Sequence, residues 1–226
     1  MRKVSVRQIL LYLLSLPKSM YVCLRLLPFK QAFKIPIIVH YKCKLLDLSG
    51  KFSLSGGGGF GSFSFGFGSI SEIDKNDRVP ILKISGTISV TTPIRFGPCS
   101  RLINEKNAYI SLGKNFLNSA KITISNCGRI SIGENFLSSW DTWIVDTNYH
   151  PIINVTTKEI AKPEGAITIG SHVWLGARSV IQKGSKIPDG CIVGASSLVN
   201  KQFEGKNLLL VGMPASQKKE DVEYIL

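Results

Sequence analysis

From residue 169 onward the hydrophobic positions keep a strict six-residue spacing: Ile169, Leu175, Ile181, Ile187, Val193 and Val199. Two positions before each stand Ile167, Val173, Ser179, Ser185, Cys191 and Ser197, apolar or small throughout. Gly170, Gly176 and Gly194 directly follow three of the aliphatic residues. A helix would repeat its apolar face every 3.6 residues and a half-buried strand every two. A six-residue rule instead predicts a triangular coil. Each flat face takes about six residues, one aliphatic side chain points into a shared interior, and the glycine accommodates the bend. Upstream the period lengthens. Ile110-Ser-Leu-Gly-Lys-Asn-Phe-Leu-Asn-Ser returns twenty residues later as Ile130-Ser-Ile-Gly-Glu-Asn-Phe-Leu-Ser-Ser, and Ile94-Arg-Phe96-Gly97 is a weaker copy. Stacked coils of this kind bury one continuous column of Ile, Leu and Val, so no coil is stable alone.

The N-terminal pattern is different. Residues 9–16 form an apolar run closed by Pro17 and Lys18, and residues 21–27 form a second run that carries Arg25 and ends at Pro28. This predicts two short apolar helices, each well under the roughly 20 residues that span a bilayer. Arg2, Lys3 and Arg7 give the start a signal-like charge, but no small-x-small cleavage site follows.

Composition narrows the classes. The chain has 226 residues, 44% of them hydrophobic, enough for a real core and too many for a disordered chain. Twenty-one glycines without a three-residue period exclude collagen. Five scattered cysteines (Cys23, Cys43, Cys99, Cys127, Cys191), without a C-x-x-C pair, argue against a disulfide framework or structural zinc and for a reducing, cytoplasmic setting. The net charge of +13 is uneven, because residues 1–51 hold ten of the 28 cations and one anion, Asp47. Cations edging short Leu-rich helices suit an in-plane anchor on an anionic membrane, with packing on its own domain or a partner subunit as the alternative. Leu-rich composition without a recognition motif argues against nucleic acid.

Residues 167–201, followed by Val211-Gly-Met-Pro-Ala, closely resemble the hexapeptide-repeat acyltransferases, and more narrowly the sugar O-acetyltransferases such as galactoside and maltose acetyltransferases. The resemblance covers residues 84–216 well and residues 1–83 loosely. It implies an all-β, left-handed parallel β-helix with a basic helical arm over residues 1–34, loosely covered coils over 35–83, an acyltransferase domain over 84–212 with a catalytic loop at 139–166, and a C-terminal tail over 213–226. It also implies acetyl-CoA as co-substrate, a sugar or glycan acceptor, and a homotrimer with its sites between subunits.

Acetyl transfer to a sugar hydroxyl needs a base, and imidazole has the right basicity near neutral pH. Of the three histidines, His150 lies in a stretch that interrupts the repeats, where site residues are expected. The family's catalytic histidine occupies the same place, so the resemblance assigns His150 that role. Asp146, four residues earlier, is a candidate to fix the imidazole tautomer or contact the acceptor. Asp141, Trp143 and Asn148 are acceptor-site candidates by proximity. For the acyl donor the resemblance points to Ala177, Ala195, Asn200 and Lys201, with Trp174 and Lys219 beside them. Ser216 stands where relatives often carry Arg, a departure from the pattern. His172 reads as a coil corner and His40 as structural. Three dispersed histidines without an H-x₄-H pair do not make a catalytic zinc site, and no metal is expected. Gly56-Gly-Gly-Gly-Phe-Gly61 matches a dinucleotide fingerprint, but Phe63, Phe65 and Phe67 alternate after it as a strand would, with no helix signal. An N-acetyltransferase acting on an amine acceptor stays open, as does, more remotely, a non-catalytic β-helix assembly protein.

Overall fold

The computed structural model describes residues 6–68, 70–71 and 79–225. The chain winds as a left-handed parallel β-helix of three flat faces. The nine-stranded face runs from Ile37–Val39 to Leu209–Gly212 and is closed by the antiparallel strand Ala215–Lys219. The seven-stranded face runs from Lys44–Asp47 to Leu198–Val199, and the six-stranded face from Lys51–Ser55 to Lys186–Ile187. The coils therefore begin at Ile37, well before the repeats become obvious in sequence.

The six-residue columns are the core. Ile169, Leu175, Ile181, Ile187, Val193 and Val199 are buried, and so are Ile167, Val173, Ser179, Ser185, Cys191 and Ser197 beside them. Ile110, Ile130 and Ile167 stack in one register, so the longer upstream repeat is the same coil. In the N-terminal half the column becomes aromatic. Phe65, Phe96, Phe116 and Phe136 follow one another with ring centroids 5.1, 4.7 and 4.9 Å apart.

The glycines act differently from the sequence expectation. A Cβ on Gly113 would lie 2.5 Å from the Gly133 carbonyl carbon, and one on Gly133 would lie 2.6 Å from that of Gly170. Glycine is needed there because successive coils touch, backbone to backbone. The left-handed bend itself falls two residues later, on Asn115, Asn135 and His172, with φ of 61°, 54° and 54°. Asparagine tolerates that conformation better than most side chains, and Asn115 donates to Asn135 across the coils at 2.8 Å.

In the N-terminal arm both apolar runs lie in one helix, Val6–Leu26, with Pro17 inside it, and a four-residue helix, Phe29–Ala32, follows. The two-helix expectation fails because tertiary contacts override the proline. Val22, Cys23 and Leu26 pack into the core. Ser19 and Ser15 hydroxyls accept from the Val39 and Tyr41 amides at 3.0 and 3.1 Å. These amides lie along the free edge of the terminal strand, so the helix covers an edge that would otherwise be open. Pro17 sits on the exposed side.

The outward sides of the three faces differ. On the six-stranded face Ser89, Ser111, Ser131 and Thr168 align in register. On the seven-stranded face Trp143 and Val180 pair, followed by Leu198. On the nine-stranded face Leu117, Leu137, Trp174 and Ile192 align. The six-stranded face is polar, this part of the nine-stranded face is apolar, and the seven-stranded face is mixed, with Arg101 and Thr123 in the Trp143 row and Lys83, Ser125 and Gln182 beside it.

Candidate active site

Between strand Trp143–Val145 on the seven-stranded face and Ile167–Ile169 on the six-stranded face, the chain leaves the prism as a hairpin. Ile152–Ile153 pairs antiparallel with Ile160–Ala161, and Thr147 bridges Glu164. The tip turns at Asn154, whose Oδ1 accepts from the amides of Thr156 and Thr157 at 2.9 and 3.0 Å. Lys183 fastens the base by donating to the Lys162 and Pro163 carbonyls at 3.0 and 3.1 Å. His150 stands at the root of this hairpin, exposed, its amide donating to the Asn148 carbonyl at 2.7 Å. Among the described residues no side chain hydrogen-bonds its imidazole. Its neighbour Tyr149 folds back so that its hydroxyl meets that of Ser125 on the seven-stranded face. Ser125 is in register with Val145, two residues from Trp143 on the same outward side. His150 and Asn148 thus lie past the Val145 end of that strand, whereas the half-exposed Trp143 opens the strand at the Asp141 edge, in register with Val180.

Asp146 does not orient His150. Its carboxylate is buried and accepts from Asn126 Nδ2 at 2.6 Å, the Cys127 amide at 2.7 Å and the Gly128 amide at 2.9 Å. It is the third step of a ladder in which Asn104 donates to Asn126 at 2.7 Å and Asn126 donates to Asp146. Asn104 closes the preceding corner in the same way, accepting from the Gly86 amide at 2.9 Å. Burial pushes the Asp146 carboxyl above the usual range, while its three hydrogen-bond donors pull it back down. Asp146 is therefore a corner closure. The sequence signal was present, because Asn104, Asn126 and Asp146 each end or follow a strand of one face.

The other candidates divide between the two edges of the seven-stranded face. Asn200 and Lys201 follow Leu198–Val199, on the His150 edge, and Lys201 Nζ lies 5.3 Å above the Phe203 ring. Ala177 and Ala195 stack on the opposite edge, where the Ser196 amide donates to the Ala177 carbonyl at 2.8 Å. Asp141 lies on that opposite edge too, a left-handed corner at φ 58°. Trp174 and Lys219 belong to the nine-stranded face. Trp174 donates to Ser139 Oγ at 3.1 Å. Within one chain, then, the proposed donor residues at 177 and 195 and the base at 150 are separated by the width of a face.

His172 and His40 are structural. The His172 ring stacks on Tyr224 of the C-terminal tail, centroids 4.4 Å apart, and its Nε2 lies 3.4 Å from Glu223. His40 Nδ1 accepts from the Lys42 amide at 3.1 Å, and burial, helped by Lys42 and Lys18, holds its pKa down to about 4. Among the described residues no group of three His, Cys, Asp or Glu side chains is arranged to hold a metal ion. The sequence reading missed Tyr149 and the hairpin's apolar pairs. The only local cue was Asn154 and two threonines between two isoleucine-bearing segments.

Residues 166–201 match the bacterial transferase hexapeptide (six repeats). The chain is 28% identical over 162 residues to a galactoside O-acetyltransferase of Escherichia coli (strain K12), covering 70% of this chain and 74% of that protein. A polysialic acid O-acetyltransferase of Neisseria meningitidis is 35% identical over 71 residues, which cover 31% of this chain and 33% of that one. In fold the chain is similar to the polySia-specific acetyltransferase NeuO, with a TM-score of 0.57 at 15% identity, over 81% of this chain and 88% of the other.

Proposed function

We propose that the chain is an acetyl-CoA-dependent O-acetyltransferase acting on a hydroxyl of a sugar or polysaccharide unit, with His150 as general base. The observation that carries the reading is the exposed imidazole at the root of a pinned hairpin, on a hexapeptide coil similar to those of sugar O-acetyltransferases. Acetyl-CoA supplies the activated acyl group. A ring nitrogen of His150 takes the proton from the acceptor hydroxyl and returns it to the departing thiol, a step worth about 10²- to 10⁴-fold. Trp143 offers an exposed aromatic side chain for stacking a sugar. The small side chains of Ala177 and Ala195 leave room along their edge for the donor's extended arm.

We further propose a homotrimer. A general base must stand within hydrogen-bond reach of the proton it takes. A donor along the Ala177–Ala195 edge lies across at least the strand Trp143–Val145, about 10 Å at the usual rise per residue, from His150 of its own chain. Packing prisms side by side brings the donor edge of one copy against the histidine edge of the next. The apolar row Leu117, Leu137, Trp174 and Ile192 on the outside of the nine-stranded face supports such packing. Light scattering should give three times the chain mass. The five cysteines are all free thiols, which supports a cytoplasmic location.

The test uses purified protein, acetyl-CoA and mixed oligosaccharide acceptors. Free thiol should be released, and His150→Ala should lower the rate at least about 100-fold with the melting temperature unchanged. A variant that keeps its activity would defeat the assignment.

A further inference from the structure

The helix Val6–Leu26 is apolar on two opposite sides, and the prism covers only one. At 100° per residue Ser15, Ser19, Val22 and Leu26 fall on the inner side, against the terminal strand. Leu10, Leu13, Leu14, Pro17, Tyr21 and Leu24 fall on the outer side. The four leucines there are 47–56% exposed and Tyr21 is 58% exposed. A helix apolar all round belongs in a core or a bilayer. Yet this one cannot leave the prism end without breaking several contacts. It would lose the Ser15 and Ser19 bonds, the Lys18 bonds to the Tyr41 and Cys43 carbonyls, and the burial of Val22, Cys23 and Leu26. By length and composition the stretch Gln8–Leu26 would serve as a span. Its inner contacts hold it flat instead.

We propose that the outer side of this helix is a membrane-binding surface that seats the N-terminal end of the prism on an anionic bilayer. Charge selects that occupant. Arg25, Lys30, Lys34, Lys42 and Lys44 are exposed on or beside the helix, and no Asp or Glu occurs before Asp47. Each cation near an anionic surface adds favourable energy, and Tyr and Phe prefer the interfacial layer. Tyr21, Phe29 and Phe33 are all exposed there, whereas Tyr12 stacks on Phe67 of the prism. The strand carrying the His150 edge is the fifth of its sheet from this end. Four inter-strand steps plus the helix thickness put the base about 30 Å from the lipid. A lipid-linked glycan acetylated on a sugar some way out from its anchor fits that height better than a lipid headgroup. The glycan part rests on the proposed transferase reading, whereas the vesicle contact does not.

The test is flotation of the full chain with vesicles of phosphatidylcholine alone or with phosphatidylglycerol. The chain should float with the anionic vesicles, and less so as salt rises. The double variant Leu13→Asp, Leu24→Asp should lower the bound fraction roughly tenfold or more while acetyl transfer to a soluble oligosaccharide is unchanged. Arg25→Glu with Lys30→Glu should weaken binding to the anionic vesicles alone. Absent flotation, or equal flotation of wild type and the aspartate variant, overturns the proposal. So does a fall in oligomer mass on the Leu→Asp changes, which would mean that a second copy covers this side. Vesicle binding without any acetyl transfer in wild type would sink the transferase reading and leave the surface standing.

Discussion

Replacing Asp146 by alanine should damage the fold before it damages the chemistry. The change strands three donors: Asn126 Nδ2, which is buried, and the Cys127 and Gly128 amides, which are partly buried. An unsatisfied buried donor costs about 1–3 kcal/mol, and less where water can reach it. Against this stands relief from burying a carboxyl whose pKa burial has raised. The balance is a loss of about 2–4 kcal/mol, or roughly 4–16 °C in melting temperature for a chain of this size. Differential scanning calorimetry reads the melting shift, and thiol release below the variant's melting range reads the activity of the folded fraction. Turnover per folded molecule should stay within about fivefold of wild type, because the carboxylate makes no bond to the imidazole. Loss of a tautomer-fixing carboxylate would behave oppositely, costing on the order of 10⁴ in kcat with the fold intact. A variant that melts with wild type and loses turnover as deeply as His150→Ala would refute the corner-closure role.

Gly133→Ala places a methyl 2.6 Å from the carbonyl carbon of Gly170 and the amide nitrogen of Ser171, so the coils must part. Overpacking of this kind costs about 1–3 kcal/mol, which denaturant unfolding would show; an unchanged midpoint would remove the close-contact reason for glycine. His40 is held at about 4 from an ordinary 6.5 in the folded chain. The unfolded chain therefore binds the extra proton first, so the His40 contribution is full above pH 6.5 and lost as pH falls towards 4. Discounted for a half-buried ring, that is about 1 kcal/mol. His40→Gln should flatten the acid limb of a stability–pH curve by about that amount, and parallel curves would contradict it.

The coil was legible because each buried position recurs at one spacing that no helix or plain strand shares. Even so, the glycine at its corner was read for the wrong reason. The stacking of Gly113 on Gly133 and Gly170 is a contact between coils, and a single coil's sequence does not display it. Asp146 was misread because nearness to His150 in the chain outweighed its place in the Asn104–Asn126 ladder. Pro17 misled through local propensity, since the contacts that hold the helix across it come from residues 37–43. His150 was found as the histidine in a stretch, between Ser139 and Ile167, that breaks the repeat. The division of the remaining candidates between two edges emerges only once three faces exist.

The most direct test of the account is the mass of an oligosaccharide acceptor after incubation with acetyl-CoA and purified protein. The wild type should add one acetyl group per acceptor site, and His150→Ala, folded and of the same oligomeric mass, should add none in the same time. An acceptor left unmodified across neutral and acidic glycans, or acetylated equally by both proteins, would contradict it.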